Sequence, residues 1–197
     1  MRMGADSSLP SAHDLLALMD QAVGGGRGLL DPDGPAWAAL VVELVESNLR
    51  QWDLEDTTRE PGASDAVVAG AKRQIDQLNL ARHHLVEEID TAIDAALAQT
   101  PTAPIATETP GMVLDRLSVL VIRRARTAAA SVQDPASADR VPILDSRLAS
   151  LTLALDLYID ELRTGRRRFV PYEHFKLYRP APSPPKNERR GVGSRPD

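Results

Sequence analysis

Three segments place polar side chains where helices should be dry. Residues 48–59 read N-L-R-Q-W-D-L-E-D-T-T-R, residues 72–90 read K-R-Q-I-D-Q-L-N-L-A-R-H-H-L-V-E-E-I-D, and residues 108–118 read E-T-P-G-M-V-L-D-R-L-S. In each, charged or amide groups alternate with apolar ones at helical spacing. Burying such groups is costly unless they are paired or used. Carboxylates in this setting can transfer protons, and fixed cations can hold an anion. The candidate acids and bases are Glu55, Asp76 and Asp115, and the candidate ligand contacts are Trp52, Lys72, Asn79, Arg82, Arg116 and Ser118.

The strongest case is Asp115 with Ser118. They lie one turn apart among Met112, Val113, Leu114, Leu117, Val119, Leu120, Val121 and Ile122. A helix apolar nearly all round is central, so these two groups face other helices. The competing reading is that Asp115 pairs with an arginine of a neighbouring helix and sets register. In the second segment Lys72, Asp76, Asn79, His83 and Asp90 share a line about 100° from the Ala71–Ile75–Leu78 line, flanking the apolar stripe, while Arg82 falls on it. A solvated face with i,i+4 pairs such as Lys72–Asp76 is the alternative. In the first segment Asn48, Trp52, Glu55 and Arg59 continue the core line begun by Trp37, Val41 and Leu44.

Composition removes several other chemistries. The chain has no cysteine, which excludes disulfides, thiolate metal sites and a cysteine nucleophile. Its four histidines, His13, His83, His84 and His174, give only i,i+4 pairs with Glu87 or Glu88, so no metal and no cofactor is expected. No phosphate loop, dinucleotide fingerprint or nucleophile elbow occurs. Gly24-Gly25-Gly26-Arg27-Gly28 follows a helix and reads as a connection, and Arg166-Arg167-Arg168 sits where a helix C-terminus favours cations. The net charge of −5 argues against a general nucleic-acid partner. No apolar stretch approaches the roughly 20 residues of a membrane span, and the N-terminus lacks a signal-peptide core, so a cytoplasmic location is expected.

The elements that must position these residues are helices. With 197 residues, 43% hydrophobic but only 4% aromatic, a Leu/Ala/Val/Ile core of close-packed helices is favoured over a sheet. Ser11 caps a helix over 12–23, and Pro35 opens a second over 35–59 after the turn cluster 31–35. Ser64 caps a third over 65–98, and Pro110 starts a fourth over 110–132. After Asp134-Pro135 a fifth runs to Gly165, with Pro142 in its first turn or kinking it. Residues 172–178 read as a short docking turn. The expected fold is all-α, an antiparallel bundle of four long helices plus a short N-terminal helix. Residues 1–10 are expected to be flexible, 11–178 to form the domain and 179–197 to be a disordered tail.

The motifs R-Q-W-x-L-E-D (50–56), K-R-x-I-D-x-L-N-x-x-R (72–82), E-T-P-G-x-x-x-D-R-L-S (108–118) and F-K-x-Y (175–178) together resemble a bacterial, all-helical domain family of unknown function. The resemblance covers roughly residues 35–178, and the E-T-P-G-x-x-x-D-R-L-S element is its most specific part. Departures are His83-His84 for the more usual Asn-Asp and Arg123-Arg124 where a lysine is usual. Members are often encoded beside glycosyltransferases or surface-polysaccharide genes, and some lie in actinobacterial metabolite clusters. The resemblance therefore implies an accessory protein or enzyme of carbohydrate or specialised-metabolite biosynthesis. A polar pocket between helices would take a small anionic metabolite, with Lys72, Arg82 and Arg116 as its cations. A weaker likeness, at Arg73-Gln74-Ile75-Asp76 and Arg82, is to helical chorismate mutases, which hold a dicarboxylate between cations. The competing class is a non-catalytic interaction protein with a protein partner, whose polar seam is a closed structural network. The residues leave the oligomeric state open.

Overall fold

The computed structural model describes residues 9–26 and 35–173, and among these every regular element is a helix. They are α1 (Ala12–Val23), α2 (Ala36–Thr58), α3 (Asp65–Ala96), α4 (Pro110–Ala130), the single turn α5 (Pro135–Ala138) and α6 (Val141–Arg163). The starts are set by local chemistry. The Ser11 side chain accepts from the Asp14 amide in a reciprocal capping box, Ser64 caps through the Val67 amide, and Thr109 caps α4 ahead of Pro110. The last long helix starts at Val141 with Pro142 in its first turn rather than kinking it, and the connection marked by Asp134-Pro135 holds the one-turn α5, which Asp134 caps. No helix among the described residues is long and apolar enough to cross a membrane.

α2 packs along α3, and α4 touches α1, α2, α3 and α6, the central place its apolar sequence requires. The buried core is built from Met19 of α1, Val41, Leu44 and Val45 of α2, Ile89 of α3 and Leu114, Leu117 and Val121 of α4. Leu155, Ile159 and Leu162 of α6 close it from the other side. Leu9 is also buried, and the Arg163 guanidinium donates to its carbonyl. Leu9, at the end of the stretch 1–10, is thus tied to α6 ahead of α1, and residues 1–8 lie outside the described residues. The expected tail at 179–197, the F-K-x-Y element at 175–178 and the turn cluster at 31–34 lie outside the described residues.

After α6 the chain turns at Gly165, whose φ of +67° suits glycine, and runs back across the α3–α4 loop. The Ala106 amide donates to the Arg168 carbonyl (2.8 Å) and the Arg168 amide to the Pro104 carbonyl (3.0 Å), a single parallel bridge. Tyr172 and Glu173 carry no regular secondary structure, and the rest of the turn expected over 172–178 lies outside the described residues. Arg166 and Arg167 are spent locally on Asp160 and Glu161, while Arg168 donates to the Ala103 carbonyl. One side chain ties α6 to the start of α4: the Tyr158 hydroxyl donates to the Glu108 carbonyl at 2.9 Å. Burial pushes that phenol well above its ordinary range, so it stays a donor. Tyr158→Phe should lower stability by about 1 kcal/mol in urea unfolding, the net worth of one such bond.

Candidate functional site

The polar seam resolves into three structures. The first is a closed cluster at the centre of the bundle. Asn48 of α2 is buried, and its Nδ2 donates to Asp115 Oδ1 at 3.0 Å and to Ser118 Oγ at 2.8 Å. The Ser118 hydroxyl donates in turn to the Asp115 carbonyl at 2.8 Å. Ser118 is fully buried, as its place in an apolar helix demands. One face of Asp115 is therefore satisfied by α2. The other, Oδ2, faces Arg82 of α3 at 3.8 Å, an ion pair too long for a hydrogen bond. The guanidinium donors of Arg82 remain unspent among the described residues.

The second is a cavity directly beside this cluster, between α2, α3 and α4. Its volume is about 290 Å³, and its lining includes Gln51, Trp52, Glu55, Arg59, Arg82 and Arg123. Arg59 is held at the rim by Glu55 at 2.6 Å. Arg123 has no carboxylate partner among the described residues, and Gln51 Oε1 is buried without a hydrogen-bond partner there. Arg59 is taken up by Glu55 and Asp56 and Arg82 faces Asp115, which leaves Arg123 as the cation on the lining without a carboxylate among the described residues. Such a site favours an anion with oxygen acceptors, which guanidinium groups bind in planar pairs of hydrogen bonds.

The third explains the E-T-P-G segment. Asp90 of α3 is fully buried. Its Oδ1 accepts from the Gly111 amide at 2.7 Å and its Oδ2 from the Tyr172 amide at 3.0 Å, with a further bond to the Thr109 hydroxyl. This one carboxylate thus satisfies an orphan amide at the α4 N-terminus and anchors the returning chain. Burial pushes its pKa up, against the pull of its three donors. Glu108 pairs with Arg116 at 2.9 Å on the surface. Tyr172 also stacks on His83, with its hydroxyl 3.1 Å from His83 Nδ1. The segment is a docking device for α4.

Of the residues singled out by sequence, Trp52, Glu55 and Arg82 meet at the cavity, and Asp115 and Ser118 form the cluster beneath it. The others lie apart. Lys72 and Asp76 are exposed on α3, one residue round from buried Ala71 and Ile75, and no ion pair joins them among the described residues. Asn79 is half-buried but does not line the cavity, and Arg116 opens onto a different groove. Gln51 and Arg59 are contributors outside the candidate set, and Arg123 stood out in the sequence only as a departure from the family pattern. Arg123 sits two turns beyond Asp115 on α4, so an i,i+4,i+8 line from Asp115 through Val119 points to it. Among the described residues no cluster of histidine, aspartate and glutamate is arranged for a metal ion.

No curated protein and no solved structure matches the chain. One family model does, over residues 38–170, from α2 to just past α6, leaving α1 outside the match. That span is more than half of the chain and contains the cluster, the cavity and the α4 docking device, so the protein belongs to the family described as protein of unknown function (DUF4254).

Proposed function

We infer that this protein binds a small anionic ligand in the cavity between α2, α3 and α4, as a cytoplasmic accessory protein or enzyme of carbohydrate or specialised-metabolite biosynthesis. The observation that carries the reading is Arg82 and Arg123 facing one cavity with donors unspent among the described residues. In this reading α2, α3, α4 and α6 form an antiparallel bundle that fixes the three arginines relative to one another. Arg82 and Arg123 hold the anion, and Arg59 closes the rim. Asp115, itself pinned by Asn48, positions Arg82. Glu55 lines the cavity and is the carboxylate placed for proton transfer. Trp52 supplies an apolar wall of the kind that packs against a sugar ring. The resemblance to proteins encoded beside glycosyltransferases supports the choice of pathway.

Thermal shift with sugar phosphates, nucleotide sugars and dicarboxylates tests this. A ligand at a hundred times its Kd adds about 2.7 kcal/mol. For a chain of this size that is a rise of roughly 5–10 °C. Arg82→Ala and Arg123→Ala should each lose most of the rise. If no compound in the panel stabilises the wild type more than Arg82→Ala, the pocket is rejected. One observation favours the second reading, an interaction protein: the Asn48–Asp115–Ser118 cluster is closed without a ligand. A biosynthetic protein partner that co-purifies equally with wild type and Arg82→Ala would support it.

A further inference from the structure

A second space adjoins the cavity at Arg123. On the other side of α4 lies an open groove of about 660 Å³ between α4 and α6. Val119 and Arg123 line both spaces, so the two adjoin at one turn of α4. Their characters differ. The groove has Val119, Leu120 and Leu151 along its floor, Ser146 and Ser150 on its α6 wall and Arg147 at its edge. Its lining is mainly apolar, with Arg116, Arg123 and Arg147 set against the one carboxylate of Asp115, whereas the cavity is dominated by guanidinium groups.

Size separates the roles. At about 30 Å³ for each water in the liquid, the 290 Å³ cavity holds roughly ten waters, room for one phosphate-sized anion and a few atoms more. A larger ligand anchored at Arg82 and Arg123 must leave the cavity, and the groove is the exit that shares Arg123. An all-polar ligand would leave Leu120 and Leu151 facing groups that gain nothing from them. A ligand with an apolar body removes that surface from water.

Building on the anion-binding reading above, we propose that the ligand is an amphiphilic phosphate. Its phosphate sits among Arg82, Arg123 and Arg59, and its alkyl, prenyl or aryl body lies in the α4–α6 groove. The groove sets specificity for the body, and Arg123 is the hinge between the two parts.

Isothermal titration of the full chain with inorganic phosphate, butyl phosphate, octyl phosphate (below its micelle concentration) and phenyl phosphate tests this. Affinity should rise from phosphate through butyl to octyl phosphate by about tenfold or more, since each buried methylene contributes and the open groove covers only part of the chain. Phenyl phosphate tighter than butyl phosphate would assign the groove to aryl bodies, and the reverse order to alkyl or prenyl ones. Ser150→Trp fills the groove from an exposed position on α6, and Ser146→Tyr does so one turn earlier. Either should abolish the gain from the chain while leaving inorganic phosphate binding unchanged, and Arg123→Ala should weaken every compound. If phosphate binds and the chain adds nothing, or if the gain survives both groove variants, the amphiphile is rejected while the anion pocket stands. If no phosphate compound binds at all, the amphiphilic phosphate is rejected, and the anion pocket is decided separately by the dicarboxylates of the thermal-shift panel.

Discussion

Gly111→Ala should destabilise the protein by about 3 kcal/mol, although alanine is the better helix former by about 1 kcal/mol. A methyl group at 111 would stand 2.7 Å from the Val86 carbonyl oxygen and 2.9 Å from Asp90 Oδ1. The first of these is backbone within α3 and cannot swing aside. α3 and α4 would have to separate, and the 2.7 Å bond from the Gly111 amide to Asp90 would stretch with them. Gly70 supplies the control. It lies within α3, and a methyl group there meets only the flexible end of Arg73 at 4.0 Å. Gly70→Ala should therefore raise stability by about 0.5–1 kcal/mol. Urea unfolding of the two variants beside the wild type decides the matter. If Gly111→Ala is as stable as the wild type, the close approach of α3 to α4 is wrong.

Gly111 also shows where sequence reasoning reaches its limit. Helix starts were legible because their causes are local: Ser11, Ser64 and Thr109-Pro110 each cap the helix that follows. The bounds of α1 follow from Ser11 and Gly24 alone. The central place of α4 was legible from its unbroken apolar face. What a position on that helix meets is a different matter, because it depends on a segment distant in the chain. Gly111 is a plain residue beside Pro110 until Val86 and Asp90 approach from α3. Asp90 reads as one more polar residue on the Lys72–Asp76 line, yet the first is fully buried and the other two are exposed. The line spans several turns, and its Asp90 end meets the start of α4 and the returning chain at Tyr172, while Lys72 and Asp76 lie beyond both. Arg123 was hidden as a cavity residue for the same reason. It is an exposed arginine near the middle of α4, and only the packing of α2, α3 and α6 around that helix places it between two cavities.

Asp90→Ala should be the most damaging single truncation outside the apolar core, costing about 4 kcal/mol. Three donors converge on this carboxylate: the Gly111 amide, the Tyr172 amide and the Thr109 hydroxyl. Removing it leaves them without their acceptor in a closed interior, at about 1–3 kcal/mol for each group that water cannot reach. The loss is not uniform along the chain. α4 keeps its Thr109 cap, but the returning segment loses a tie to α3, so amide exchange at Phe169–Tyr172 should accelerate more than exchange in α2. The pH dependence separates the balance of forces within the site. Burial raises the folded pKa of Asp90 above its ordinary value of 3.8, so the folded state holds this proton more tightly than the unfolded chain does. The associated stability is fully present below 3.8 and is lost as pH rises through the folded value. The stability gap between wild type and Asp90→Ala should accordingly be widest below pH 3.8, narrow as Asp90 ionises and then stay level to neutral pH. Other carboxylates titrate alike in both proteins and cancel in the difference. A gap that widens with pH would mean that the three donors outweigh burial, and that the folded protein prefers the charged form.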